Sequence, residues 1–382
     1  MWFISLVMKN VWRRKIRSIL TCTSMAIAVC AVISMLGTAE GYEQSFAALF
    51  EARGTDLVVM KAGITQRIAS NIDESMIERI RKVPGVRDVE GTLIWLAEYL
   101  EAGLVGIYIF GVDPGSILME ESKFKHGRKL TDKDRRKVMM GNILARNLGK
   151  KLGDTVDMVG EPFEVIGIYE SYNLLESNGA VIPLREMQEL QGRPRKVTTI
   201  LILLEDAYKQ PDKVERIRQE IEAMRSPTGA NLNLTVQTTR DLVKTNVETQ
   251  TFKGFAWASS MIAMIIGFVS MLNTMMMSIT ERIREIATFR ALGWRKLRVM
   301  RMIILESLML AAAGALLGMV LAIPLMEFLS NYSATSSVVV ARLTAETIGK
   351  GVGMGMVAGL LGAVYPAWIA ANLSPASALR HD

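Results

Sequence analysis

A chain of 382 residues, half of them hydrophobic and with a mean hydropathy of +0.25, reads as a membrane protein rather than a soluble globule. Its formal charge of +7 would suit a nucleic-acid binder, but Lys and Arg gather beside apolar runs, so the bilayer and not nucleic acid is the expected partner. Cys22 and Cys30 are the only cysteines; eight helical positions, or about 12 Å of rise, separate them, which excludes a disulfide framework.

Residues 1–18 read as an amphipathic helix on the membrane surface. Phe3, Val7 and Val11 form one stripe, Lys9, Arg13 and Arg17 another, and Trp2 and Trp12 suit the interface. A first span is expected at 19–37, retained as an anchor because no small-x-small cleavage context follows it. Residues 38–253 are polar and mixed in charge, so they form a water-exposed domain.

Within that domain a helix is expected over 38–52, an extended segment over 55–61 and an amphipathic helix over 73–83. Pro84-Gly85 ends the last of these, and a strand starts at 86–89. From residue 91 the pattern turns β-rich, with strands at 105–112, 138–142 and 163–168 and a helix reaching Leu148.

Spans two to four are expected at 254–279, 302–329 and 347–371, joined by a basic hairpin (280–301) and a loop (330–346), with a tail at 372–382. Lys9, Arg13, Arg14, Lys15 and Arg17 precede the first span, and Arg282, Arg284, Arg290, Arg295, Lys296, Arg298 and Arg301 fill the hairpin. Both termini and the hairpin are therefore expected in the cytoplasm and the large domain outside.

The hairpin carries the strongest functional signal. The second span runs without Pro or Gly into a charged helical segment. Glu281/Arg284 and Arg282/Glu285 are i,i+3 pairs of opposite sign, Arg290 suits the negative helix pole, and Gly293 is placed for a left-handed cap. Charge pattern alone allows a solvated hairpin or a rigid lever gripped by another protein. Glu306, the acid inside the next apolar run, lies near the end of its span and is expected to reach the interface. Gly314 and Gly318, and Gly351, Gly355 and Gly359, form small-residue stripes for close helix packing, within the subunit or between subunits. Pro324 and Pro366 should kink their helices or mark their ends.

Catalytic motifs are missing. The nearest approach to a nucleotide-binding loop, Ile348-Gly349-Lys350-Gly351, lacks the first Gly and the hydroxyl residue. No G-x-S-x-G and no metal-ligand spacing occurs, and His126 sits in a basic surface stretch. The chain is therefore not expected to be an enzyme.

The string from Thr280 to Ala287, followed by Arg290-Ala291-Leu292-Gly293, resembles the signature of FtsX-like and MacB-type ABC transporter permeases. Glu306, Tyr365-Pro366-Ala367 and the segment from Ser374 to Arg380 extend the resemblance. The helix-Pro-Gly-Val-strand phrase and the β-rich stretch resemble the MacB-type periplasmic core. The implied fold is an α-helical membrane protein with four transmembrane helices and a large extracytoplasmic α/β domain. Its α/β lobe (38–90 and 197–253) would hold an inserted β-rich lobe (91–196). The second half of the α/β lobe would then be a strand at 198–204, a helix at 212–224 and a strand at 234–237, with a single helix over 238–253 descending to the second span.

The resemblance also implies roles and partners. Glu281, Arg282, Arg284, Glu285, Ile286, Ala287, Arg290, Ala291, Leu292 and Gly293 would form a coupling helix docked on a separate ABC ATPase subunit, present in two copies. ATP and Mg would sit on that subunit, with no cofactor in this chain. It further implies a homodimer in a bacterial cytoplasmic membrane, using mechanotransmission to export or extract a drug, peptide, lipid or lipoprotein. A periplasmic adaptor or substrate-carrier protein is a further partner so implied. The alternative is an FtsX-like transducer controlling an extracytoplasmic cell-wall hydrolase; the size of the outer domain favours export.

Overall fold

The computed structural model describes residues 15–51, 54–64, 67–116, 123–171, 174–226, 229–331 and 343–373. It divides into a sheet unit built on residues 41–252 and a helical unit from the flanking segments. The expected surface helix lies almost wholly outside the described residues, as do most of the 330–346 loop and the Ser374–Arg380 motif.

Helix α1 (Lys15–Glu51) runs through the first span and on to residue 51 without a break. The elements that follow are β1 (Leu57–Lys61), β2 (Ile72–Asp73), α2 (Ser75–Arg81), β3 (Val86–Tyr99), β4 (Leu104–Val112), β5 (Lys123–Gly127), β6 (Lys137–Gly141) and α3 (Asn142–Asn147). Next come β7 (Thr155–Met158), β8 (Glu161–Glu170), α4 (Leu174–Ser177), β9 (Ala180–Pro183), α5 (Leu184–Leu190), β10 (Lys196–Val197) and β11 (Thr199–Leu204). The sheet unit closes with α6 (Pro211–Glu222), β12 (Leu234–Thr238) and α7 (Thr239–Thr245).

Among the described residues the main sheet has ten strands in the order β12-β1-β11-β3-β4-β9-β6-β8-β5, with β7 paired to β8. Pairings β4–β9 and β6–β8 are parallel and the others antiparallel. Alternation of side chains divides the core into two layers. Leu57, Val59, Ile200, Ile202 and Val236 face Met76 and Ile80 of α2 and Ile217 and Ile221 of α6. Val58 and Leu201 face the other way, onto Tyr42, Phe46, Leu49 and Phe50 of α1 and Leu242 of α7. Strand β11 is buried at every position because both its faces are covered, hence its unbroken apolar run.

Two sequence expectations need correction. The lobe boundary at 90/91 falls inside β3: its first half pairs with β11 (Thr92 opposite Thr199) and its second half with β4 (Leu93 opposite Gly111), so the lobes share a strand. Gly91 is not a break. A Cβ there would stand 2.5 Å from Ile77 Cδ1, so the glycine lets α2 approach the strand. The helix expected over 238–253 is likewise two helices. Asn246 leaves the helical region (φ −60°, ψ 120°), ends α7, and accepts from the Thr249 amide at 3.0 Å to cap the next helix.

The helical unit combines α1 with α8 (Val247–Thr280), α9 (Ile283–Ala291), α10 (Lys296–Asn331) and α11 (Ala345–Ala371). Among the described residues α1, α8, α10 and α11 are the four helices long and apolar enough to cross a membrane. Stripes at i,i+4 supply the packing: Met25, Val29 and Ile33 of α1 meet Met271, Met275 and Ile279 of α8 and a run of alanines on α10 and α11. The glycines sit where helices touch. A Cβ at Gly314 would lie 2.7 Å from Met25 Cβ, and one at Gly318 would lie 2.6 Å from the Ala26 carbonyl oxygen. Gly351, Gly355 and Gly359 face Ile33, Val29 and Ala311 in the same chain. Pro324 and Pro366 lie inside their helices rather than at the ends, and Cys22 and Cys30 are free thiols.

Candidate coupling site

The second span and the charged segment are not one helix. At Thr280 the hydroxyl donates to the Met277 carbonyl (2.9 Å), and the Arg282 amide bonds to Ile279 O (2.9 Å), a tightened last turn. Arg282 then takes φ −116°, ψ 16°, and its carbonyl accepts the Ile286 amide at 2.9 Å, which starts α9 in a new direction.

That elbow turns Arg282 inward. The residue is only 6% exposed; Nη1 donates to Glu306 Oε2 on α10 at 3.0 Å, and Nε donates to Glu285 Oε2 at 3.1 Å. Glu306 is itself 6% exposed, so it does not reach the interface as expected but is neutralised inside the unit. Such a pair is held by its mutual attraction against a large desolvation cost, and removing one partner strands the other. Next to it Ser307 Oγ donates to the Gly359 carbonyl at 2.7 Å, tying α10 to α11 where the glycine allows close approach. Ile286 and Ala287 complete the buried face of α9.

The other face of α9 is open. Arg284, Glu285, Thr288, Ala291 and Leu292 are exposed along one side, and Leu292 at the tip leaves 74% of its surface uncovered. Gly293 adopts φ +90°, the left-handed conformation that turns the chain toward α10. The turn is stiffened by rings: Phe289 stacks on Trp294 (4.7 Å between centroids) and the Arg298 guanidinium lies 4.4 Å above Trp294. Arg290 Nη1 donates to the Trp294 carbonyl at 2.9 Å. Glu281 takes Arg17 of α1 as an ion-pair partner.

The ten residues expected to act together therefore occupy one elbow, but in two populations. Arg282, Ile286 and Ala287 hold it to the bundle, Glu281 is paired with Arg17 of α1, and Arg284, Glu285, Ala291, Leu292 and Gly293 face outward, with Arg290 between the two groups. Sequence reasoning missed the Arg282–Glu306 tie, although a lone acid in an apolar run is the signal for a buried partner. It also missed the Trp294 platform, which no spacing rule marks.

The family model described as the MacB-like periplasmic core domain matches residues 18–224, and the one described as the FtsX-like permease C-terminal matches residues 257–375, including the elbow. The chain is 27% identical to the macrolide export ATP-binding/permease protein MacB of Bdellovibrio bacteriovorus, over 96% of this chain and 60% of that protein. It is 24% identical to an uncharacterized ABC transporter permease of Methanocaldococcus jannaschii, over 99% of this chain and 98% of the other. The chain thus spans 60% of the length of that MacB relative and nearly all of the archaeal permease. The crystal structure of the periplasmic region of MacB from Actinobacillus actinomycetemcomitans matches 52% of this chain and 97% of its own, with a TM-score of 0.38 at 16% identity. With both domain models matched in order along it, the chain belongs to the MacB-type, FtsX-like family of ABC transporter permeases.

Proposed function

We propose that this chain is the membrane subunit of an export or extraction system, and that the α9 elbow receives force from a separate ABC ATPase subunit. The observation that carries the proposal is the two-sided elbow. Its inner face is tied to α10 by a buried ion pair, while its outer face presents charge and an uncovered leucine. A push on the outer face is then passed to α8 and α10 rather than absorbed by a loose loop. In this reading the termini and elbow are cytoplasmic, as the Lys and Arg distribution favours, and ATP and Mg belong to the partner. Two ATPase copies serve a homodimer. The load is a hydrophobic or amphipathic molecule handled at the outer domain, with an adaptor or carrier protein as its recipient. The large sheet domain supports export over control of a hydrolase.

Arg284→Glu tests the docking surface. Exposed ion pairs are worth ~0–1 kcal/mol, so melting should hardly change. An unpaired charge in an interface costs about 2–5 kcal/mol, so co-purification of the proposed partner ABC ATPase subunit should fall sharply. Unchanged complex yield and unchanged transport-coupled ATP hydrolysis would return the elbow to a solvated hairpin.

A further inference from the structure

Beyond the docking surface, a groove of 750 Å³ opens between the Lys15 end of α1 and the Thr280 end of α8. One wall carries Lys15, Ile16, Arg17 and Leu20; the other carries Asn273, Thr274 and Met277. Its chemistry is split. Ile16, Leu20 and Met277 are strongly exposed apolar side chains, as expected for a surface that faces acyl chains. Lys15 and Arg17 are cationic, and Asn273, exposed seven residues before the end of α8, offers an amide about 10 Å inside the helix terminus.

Arg17 supplies the decisive detail. Its Nη2 pairs with Glu281, but its Nη1 is shielded from solvent and has no hydrogen-bond partner. A guanidinium donor out of water and unpaired is costly, and a guanidinium fork matches the oxygens of a phosphate. In the sequence, residues 1–14 carry Lys9, Arg13 and Arg14 and no acid, a charge pattern that favours an anionic partner.

We infer that this groove is a binding site for one anionic phospholipid of the adjoining leaflet, which is the cytoplasmic leaflet in the orientation proposed above. The phosphate accepts from the Arg17 guanidinium and is flanked by Lys15. The Asn273 amide meets the glycerol and ester region, and the acyl chains run along Ile16, Leu20 and Met277. The lipid phosphate and Glu281 then compete for one guanidinium, so the site bears on the strut that joins α1 to the elbow. Lipid binding does not depend on ATPase docking and stands or falls separately.

The test uses the full chain in detergent, titrated with dioleoyl phosphatidylglycerol, dioleoyl phosphatidylcholine or inorganic phosphate, with bound molecules counted by native mass spectrometry. One phosphatidylglycerol per chain should be held about tenfold more tightly than phosphatidylcholine, and Arg17→Gln should erase that preference. Asn273→Leu, which alters no charge and lies on the other wall, should weaken the same lipid severalfold. Glu281→Gln should bind it at least as tightly as the parent protein. Equal affinity for the two lipids, or an undiminished preference in both Arg17→Gln and Asn273→Leu, would overturn the inference. So would many equivalent copies insensitive to Asn273→Leu, the mark of diffuse attraction to a basic surface. Displacement of the lipid by inorganic phosphate at matched concentration would reassign the groove to free phosphate and refute the lipid site.

Discussion

The sheet unit and the helical unit pack by opposite means. In the sheet unit bulky side chains fill the space between layers: Ile200, Ile202, Leu57 and Phe163 are fully buried, and charged pairs such as Arg128–Asp134 and Lys137–Glu164 keep at least one partner exposed. In the helical unit the contact is made by absence. Gly318, Gly355 and Gly359 bring helices together, alanines fill the centre, and the ion pair Arg282–Glu306 is buried. The physical reason is the solvent. Water expels apolar bulk and stabilises the sheet core, whereas lipid is as apolar as leucine, so helices in it associate through close contact and polar ties.

If that contrast holds, the two units should fail to opposite substitutions. The largest effect is expected at the buried tie. Glu306→Ala leaves Arg282 uncompensated and should destabilise the helical unit by about 3–5 kcal/mol, read as a loss of thermal stability in detergent. The double change Arg282→Met with Glu306→Leu should recover most of that loss, because the penalty lies in the stranded charge. No recovery would mean that the pair acts through geometry rather than charge.

Next comes the sheet core. A fragment spanning 41–250 should melt cooperatively without any disulfide, and Ile202→Ala should cost it about 2–5 kcal/mol through lost burial and a cavity. In the helical unit enlargement is the damaging change. Gly318→Ala places a methyl 2.6 Å from the Ala26 carbonyl oxygen, where backbone has to move, and should cost about 1–3 kcal/mol. Equal tolerance of truncation and enlargement in both units would dissolve the contrast.

The smallest effect concerns charge in the sheet unit. Asp134 is buried beneath Arg128, which donates to both its oxygens at 2.6 and 2.7 Å, while Thr131 adds its amide and hydroxyl. Hydrogen bonding from Arg128 first, then from Thr131, holds the Asp134 carboxyl well below the usual carboxylate range. A depressed folded-state value means that the unfolded chain binds the proton first. The stabilisation is therefore complete above an ordinary Asp pKa of about 4 and is lost as pH falls through the lower folded value. Asp134→Asn should lower stability at neutral pH and flatten the decline of the melting temperature below about pH 4. An acid limb as steep as in the parent fragment would mean that other carboxylates set it.

The sequence by itself determined what local chemistry and solvent dictate. Apolar runs of span length located the four crossing helices, a short apolar run at 105–112 marked β4, and Gly293 could be placed as a left-handed turn because only its backbone freedom was at issue. Tertiary structure decided everything that depends on a distant partner. Arg282 sits beside Glu285 in sequence and could be satisfied on its own helix, yet its inward turn to Glu306 depends on α10 packing against the elbow. Gly91 reads as a boundary because the pattern turns β-rich there, and only the approach of α2 gives a glycine its reason to stand inside β3. Asn246 is as compatible with a continuing helix as with a cap, and only the placement of α7 against β1 and β12 selects the break. Local periodicity records which face of an element is apolar; it does not record what that face meets, and at the elbow that meeting sets which charges are buried and which are offered to a partner.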